Sequence, residues 1–238
     1  MKILRNSASQ LVKTMLVFGF TSAMGVAPLF AQVTNSTLAQ LAAGQTLSID
    51  DKTFSGFSYT PSGLTSFDPS AIIVSVSQDA SGIDYLTWKG NISYAGSGVL
   101  GSADLLLNYI VTANAGTINI IDQAYTGSAL HGLLAIDETA AIGAFGGTVV
   151  GYSHLQISDL SDPPAETNDV LNIVPPESVL YVTKDIAFGA TSPNGGFITI
   201  SQVTQSFHQV PEPGAMLLGS LGGGLLLLLR LRRQAGRD

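Results

Sequence analysis

The chain has 238 residues, with 26 Gly, 10 Pro, no Cys, 11% charged residues and a formal net charge of −7; its mean hydropathy is +0.34. This composition excludes a disordered, collagen-like or disulfide-stapled chain, because so apolar a sequence buries a core and offers no thiols to bridge. The negative charge excludes a broadly basic nucleic-acid binder.

The charge is unevenly placed. Lys2, Arg5 and Lys13 lie at the start, and Arg230, Arg232, Arg233 and Arg237 at the end. Between Gln32 and Gln209 there is no Arg, and three Lys face twelve Asp and three Glu, a net charge of −12 for that stretch. The body is therefore acidic, and its field disfavours phosphate-rich partners, nucleic acid included.

The three basic residues at the start precede an apolar run of thirteen residues, 15–27 (MLVFGFTSAMGVA), followed by Pro28-Leu29-Phe30-Ala31. A positive region, a short apolar core and small residues at its end make a secretory signal peptide over residues 1–31. Cleavage is expected between Ala31 and Gln32, since a cut after Ala27 leaves Pro28 at the next position. Export makes the lack of Cys informative: stability has to come from packing.

Residues 32–209 read as an all-β ectodomain. Asn35 to Ala43 suits a helical turn near the mature start. Short runs rich in Val, Ile, Tyr, Phe and Thr then recur at intervals, separated by Gly, Asn, Asp, Ser and Pro. The predicted strands are 53–59, 71–77, 83–89, 91–94, 103–113, 117–124, 132–137, 148–157, 178–184 and 196–203. Leu105, Leu107, Tyr109 and Val111 alternate and share one face of a strand. Asn114-Ala115-Gly116 suits a hairpin turn into the next strand. The many short strands, with no fixed repeat, predict an antiparallel β-sandwich, jelly-roll-like in size.

Residues 158–172 (SDLSDPPAETNDVLN) are the one predicted irregular loop, because Pro163-Pro164 forbids a regular strand. Its carboxylates Asp159, Asp162, Glu166 and Asp169 are the compositional candidates for Ca²⁺, as are Asp50 and Asp51. Neither group has the spacing of a calcium-binding loop, so a solvated acidic segment is the simpler account.

Catalytic chemistry is thin. His131, His154 and His208 are well separated and form no zinc spacing, and His208 is expected in an exposed linker. There is no Cys nucleophile and no G-x-S-x-G. The glycines of 96–98 and 143–147 have no following helix to make a phosphate cradle, so they serve turns. No cofactor is expected. Tyr85, Trp88, Tyr94, Tyr109, Tyr125, Tyr152 and Tyr181 are candidates for sugar stacking, with core packing the default for most.

At the end, Val210-Pro211-Glu212-Pro213 is followed by sixteen uncharged residues, 214–229 (GAMLLGSLGGGLLLLL), and then by Arg230, Arg232 and Arg233. As a helix the run spans about 24 Å, which snorkelling arginine extends toward a ~30 Å hydrocarbon core. The arginines stop transfer and keep the last residues, 234–238, cytoplasmic, leaving the body outside. The order of PEP motif, short glycine-rich apolar helix and Arg cluster resembles the PEP-CTERM sorting domain. The resemblance covers residues 210–233, some 24 of 238. It implies a Gram-negative bacterium, an exosortase-like processing enzyme as partner, and Pro211, Glu212 and Pro213 as the element that enzyme reads. It also implies removal of the apolar helix and a link with exopolysaccharide.

Together these readings describe an exported, non-enzymatic protein, anchored in the inner membrane as a precursor and then placed at the cell surface or in the extracellular matrix. The alternatives are a carbohydrate-binding module or glycoside-active enzyme on the same sandwich, and a permanently anchored protein. The alternative on the sandwich predicts a concave cleft that combines aromatic rings with carboxylates, and a flat, closed sandwich would count against it. Mass spectrometry of native protein from a host with the processing enzyme is expected to find the arginine-capped end missing; an intact C-terminus in that host would instead establish permanent anchoring.

Overall fold

The structure is a computed structural model and describes residues 34–96, 101–158 and 168–210. The expected signal peptide with Ala31 and Gln32, the carboxylates Asp159, Asp162 and Glu166, and the segment from Pro211 through Arg230, Arg232 and Arg233 lie outside the described residues. Among those described, no helix is long and apolar enough to cross a membrane.

Thirteen strands and one short helix follow in order: β1 (Asn35–Thr37), α1 (Leu38–Ala42), β2 (Leu47–Ile49), β3 (Lys52–Ser62), β4 (Ser66–Phe67), β5 (Ile73–Gln78), β6 (Asp84–Ala95), β7 (Ser102–Ala113), β8 (Thr117–Leu130), β9 (Gly132–Ile142), β10 (Thr148–Ser158), β11 (Asn168–Glu177), β12 (Val179–Ala190) and β13 (Phe197–Val210). They form two antiparallel sheets. One has the order β1-β5-β6-β13-β8-β11, with β4 also on β6; the other has the order β10-β9-β12-β7-β3-β2. The architecture is the β-sandwich that the alternation and turn spacing predict.

Period-2 patterning sets which faces meet. In β7 the side chains of Leu105, Leu107, Tyr109 and Val111 are buried while Leu106, Asn108 and Ile110 face outward. The inner faces join through aromatic pairs that cross from sheet to sheet: Phe54 with Phe207 at 5.1 Å and Phe57 with Trp88 at 5.7 Å between ring centroids. Trp88, Tyr94, Tyr109 and Tyr125 are all core residues, as the default reading of the aromatics holds. At the start, α1 is capped by Thr37, whose Oγ1 accepts from Gln40 N, while the Gln40 side chain accepts from Thr37 N.

Several connections differ from the sequence reading. Residues 114–116 do not close a hairpin, because β7 and β8 lie in different sheets; the turn carries the chain across the sandwich. The predicted strands 83–89 and 91–94 are one strand, β6. Gly90 lets it pass Ile72, whose Cγ1 would stand 2.8 Å from a Cβ there. The loop predicted for 158–172 ends early, since Asn168–Glu177 is strand β11. Its Pro175-Pro176 is tolerated because β11 is an edge strand paired only with β8, with a register shift between Asn172 and Glu177. His208 is not in a linker but inside β13. Between β8 and β9 the chain changes sheets through His131 alone, which takes φ 53°.

Inside the sandwich lies a polar layer built from cross-strand pairs. Lys184 on β12 is the register partner of Glu138 on β9, and Glu138 that of Ser153 on β10. Facing them from the other sheet, Gln205 on β13 is the partner of Gln123 on β8. Lys184 Nζ donates to Glu138 Oε2 and, at 2.6 Å, to Gln123 Oε1. Gln205 Nε2 donates to Glu138 Oε1 at 2.9 Å, and Gln123 Nε2 donates to Ser153 Oγ at 2.5 Å. Burial pushes Glu138 up and Lys184 down, and each is opposed by attraction to the other. A second bridge crosses the sheets where Lys52 Nζ on β3 meets Asp84 Oδ2 on β6 at 2.7 Å.

Removing one partner of a fully buried pair strands a charge, which costs about 3–5 kcal/mol. Lys184→Met is expected to lose that much stability in urea unfolding. The double variant Glu138→Leu/Lys184→Met is expected to lose less than Lys184→Met alone.

Candidate functional site

With Lys52 and Lys184 inside, Lys89 is the one basic lysine or arginine side chain on the surface among the described residues. The outward faces of the sheets are therefore carboxylate and hydroxyl surfaces, and the six-stranded sheet arranges them in rows. The first row is His154 (β10), Asp137 (β9), Asp185 (β12) and Leu106 (β7), each the register partner of the next. The second is Tyr152, Thr139, Thr183, Asn108 and Ser58, the last on β3. These are the outward residues of strands whose alternate residues make the core.

Asp137 is the hub. It accepts from the Tyr152 hydroxyl and lies 2.8 Å from His154 Nδ1. Partial burial raises Asp137, yet the bonds from Tyr152 and His154 outweigh it and hold the carboxyl below its ordinary value. Thr183 Oγ1 donates to Asn108 Oδ1 at 2.8 Å, and Asn108 Nδ2 donates to Ser58 Oγ at 3.3 Å. Beside the rows, Phe145 meets the Tyr181 ring edge to face at 5.3 Å between centroids. Phe145 reaches it from the β9–β10 turn, where Gly143 and Gly146 both take positive φ. The glycines of 143–147 thus serve a turn, as their spacing predicts. Tyr152 is 58% exposed, so its ring lies open beside the carboxylates.

Asp104 of β7 lies diagonally across from Asp185, since Asp185 is the register partner of Leu106 and Asp104 that of Ala187. Asp104 Oδ1 is buried with no hydrogen-bond partner among the described residues. Partial burial and the neighbouring carboxylates Asp104 and Asp137 push Asp185 up to about 6.

The other sheet carries a second grouping. On its outer face Ser206 Oγ donates to Asp122 Oδ2 at 3.1 Å, and His208 Nε2 lies 2.7 Å from the same oxygen. Ser206 Oγ is 3.4 Å from that same Nε2. A catalytic relay needs the two ring nitrogens to serve serine and aspartate separately; here one nitrogen serves both, so the serine is not activated.

The acidic residues singled out as calcium candidates are engaged elsewhere. Asp169 Oδ2 accepts from His154 N at 2.9 Å and Oδ1 from Val170 N at 2.7 Å, so this residue ties β11 to β10 rather than offering free ligand atoms. Asp50 and Asp51 do lie with Asp84 in a cluster whose carboxylate oxygens are within 4.8 Å of one another. The Lys52 ammonium lies against it, 3.1 Å from Asp51 and 2.7 Å from Asp84, and supplies the positive charge there. Of the stacking candidates, Tyr152 and Tyr181 reach the open face of the six-stranded sheet. Asp104, Asp137, Asp185 and His154 were not identifiable from the sequence as a group. They are distant in the chain, and only the register brings them together.

No family model and no curated protein matches the chain. Among solved structures it is similar to TmCBM61 in complex with beta-1,4-galactotriose, at 12% identity over 58% of this chain and 88% of that one, with a TM-score of 0.31. It is also similar to the enzymatically active domain of tailspike protein 4 of bacteriophage CBA120, at 15% identity over 62% of this chain and 19% of that one, with a TM-score of 0.29. A third is the Family 11 Carbohydrate-Binding Module from Clostridium thermocellum, at 10% identity over 71% of this chain and 97% of that one, with a TM-score of 0.18. Similarity of this size carries no argument about ligand.

The raised Asp185 has a consequence for stability. Its folded value of about 6 lies above the ordinary 3.8, so the folded state holds the proton more tightly than the unfolded chain. Its contribution is complete below the ordinary value and is lost as pH rises through the folded one. Wild type is expected to lose stability relative to Asp185→Asn across that window, measured by urea midpoints; parallel pH profiles would contradict the raised Asp185.

Proposed function

We propose that the chain is an exported glycan-binding protein of the cell surface or extracellular matrix, on a jelly-roll-like sandwich, delivered through its C-terminal PEP motif. The observation that carries the binding role is the outward face of the six-stranded sheet. There an open aromatic ring, Tyr152, adjoins Asp137, His154, Asp185 and the Thr183–Asn108–Ser58 ladder.

That combination suits a sugar. Aromatic faces receive the C–H side of a pyranose ring, while carboxylates, hydroxyls and an amide bond its hydroxyls. The acidic surface favours a neutral polysaccharide over a polyanion. Export through the signal peptide, transient anchoring by residues 214–229 and recognition of Pro211, Glu212 and Pro213 by an exosortase-like enzyme rest on the sequence pattern. They would bring the domain to the place where exopolysaccharide accumulates.

Affinity electrophoresis through gels containing neutral galactan or mixed-linkage β-glucan tests the binding role. Wild type is expected to be retarded in at least one of them. Tyr152→Ala, an outer-face change that leaves the core intact, is expected to weaken retardation about tenfold. Unretarded wild type in both gels, or retardation unchanged by Tyr152→Ala, would remove the proposal.

A further inference from the structure

The outer face of the seven-stranded sheet holds a cavity of about 300 Å³ lined by Asp122, Ala124, Asn168, Val170, Thr204 and Ser206, with Gln123 and Asp169 completing it. Its origin is a register effect. Thr204, Ala124 and Asn168 form one cross-strand row, and Ser206, Asp122 and Val170 the next. The methyl of Ala124 thus stands between two longer side chains, and the sheet surface dips there.

The polar atoms around this depression have capacity to spare. Thr204 Oγ1 already accepts from Gln202 Nε2 at 3.0 Å, which leaves its hydroxyl hydrogen to donate. Both bonds to Asp122, from Ser206 and His208, end on Oδ2, which leaves Oδ1 to accept. Asn168 adds an exposed amide that can both donate and accept. Ala124 and Val170 supply an apolar floor and wall.

The same atoms select against other ligands. Among the described residues no lysine or arginine lines the cavity and two carboxylates do, so an anion is repelled. A calcium ion wants six to eight oxygens. Both oxygens of Asp169 are held by backbone N–H groups, so among the described residues a cation would find a single free carboxylate oxygen, on Asp122.

We propose that this cavity is a binding site for one ring of a neutral sugar, whose hydroxyls bond Asp122, Asn168 and Thr204 while its C–H face rests on Ala124 and Val170. It lies on the sheet opposite the Tyr152 face and does not depend on it. Its volume is at the lower end of the ~300–1,000 Å³ typical of small-molecule sites, which fits one ring rather than a chain.

Methyl-labelled alanine and valine in the full-length chain read the site directly by NMR. Titration with D-glucose and with D-galactose is expected to shift the Ala124 and Val170 methyl signals saturably for at least one of the two, with inorganic phosphate and Ca²⁺ producing no such shift. Ala124→Leu fills the depression and Thr204→Val removes the donated hydroxyl hydrogen; both positions face outward, and each variant is expected to weaken the response about tenfold. Silent Ala124 and Val170 methyls with both sugars would overturn the assignment. So would equal shifts with phosphate or Ca²⁺, or an unchanged affinity in both variants. The Ala135 and Ala187 methyls on the opposite sheet report on the Tyr152 face separately, so the two sites stand or fall independently.

Discussion

A salt bridge with no access to water pins two neighbouring strands of the six-stranded sheet, β12 and β9, and is tied to the facing sheet by two glutamines. Lys184 and Glu138 are both fully buried, and each is bonded again by a glutamine from the opposite sheet. An ion pair so placed carries a large desolvation cost, offset only in an arrangement that brings Gln123 and Gln205 onto it, and even here Gln205 Oε1 is buried without a partner among the described residues. That condition makes it a device for choosing one arrangement. Sliding β12 by one residue against β9 would turn Lys184 to the outer face and leave Glu138 alone in the core, because the side-chain period of a strand is two. The bridge between Lys52 and Asp84 does similar work at the β2–β3 end, with Gln78 Nε2 bonding the second oxygen of Asp84 at 3.0 Å.

Fixing the inner face fixes the outer one. Once Glu138 points inward, Asp137 must point outward, and once Lys184 points inward, Asp185 must point outward beside it. The carboxylate row of the six-stranded sheet is therefore the reverse side of the buried pair. The same coupling holds on the other sheet, where inward Gln123 and Gln205 leave outward Asp122, Ala124, Thr204 and Ser206. Interior specificity and exterior chemistry are set by one registration of the strands.

Much of the fold was legible from local pattern. The alternation in 103–113, the turn residues and the absence of helical periodicity are properties of neighbouring residues, and they led directly to β7 and to two packed sheets. The failures came where a distant residue decides. Gly90 reads as a break between strands until Ile72 is known to lie against it. Residues 168–172 read as the tail of an irregular loop until they are known to pair with β8 as the edge strand β11. Residues 114–116 read as a hairpin because a tight turn looks the same whether its strands pair or part. The site was less legible still. Tyr152 and Tyr181 could be named as aromatic candidates, but Asp104, Asp137 and Asp185 are separated by tens of residues and meet only through the pairing of β7, β9 and β12. The proposed sorting signal is the opposite case, because the pattern it rests on, residues 210–233, is contiguous in the chain and its reading needs no fold.

Lys52 and Lys184 lie buried, and the whole stretch from Gln32 to Gln209 contains no arginine and only one further lysine, Lys89. Trypsin-like proteases need a reachable basic side chain, and Lys89 lies within β6, paired on both sides by β5 and β13. A folded domain built this way gives such enzymes almost nowhere to cut, and it has that resistance without a single disulfide.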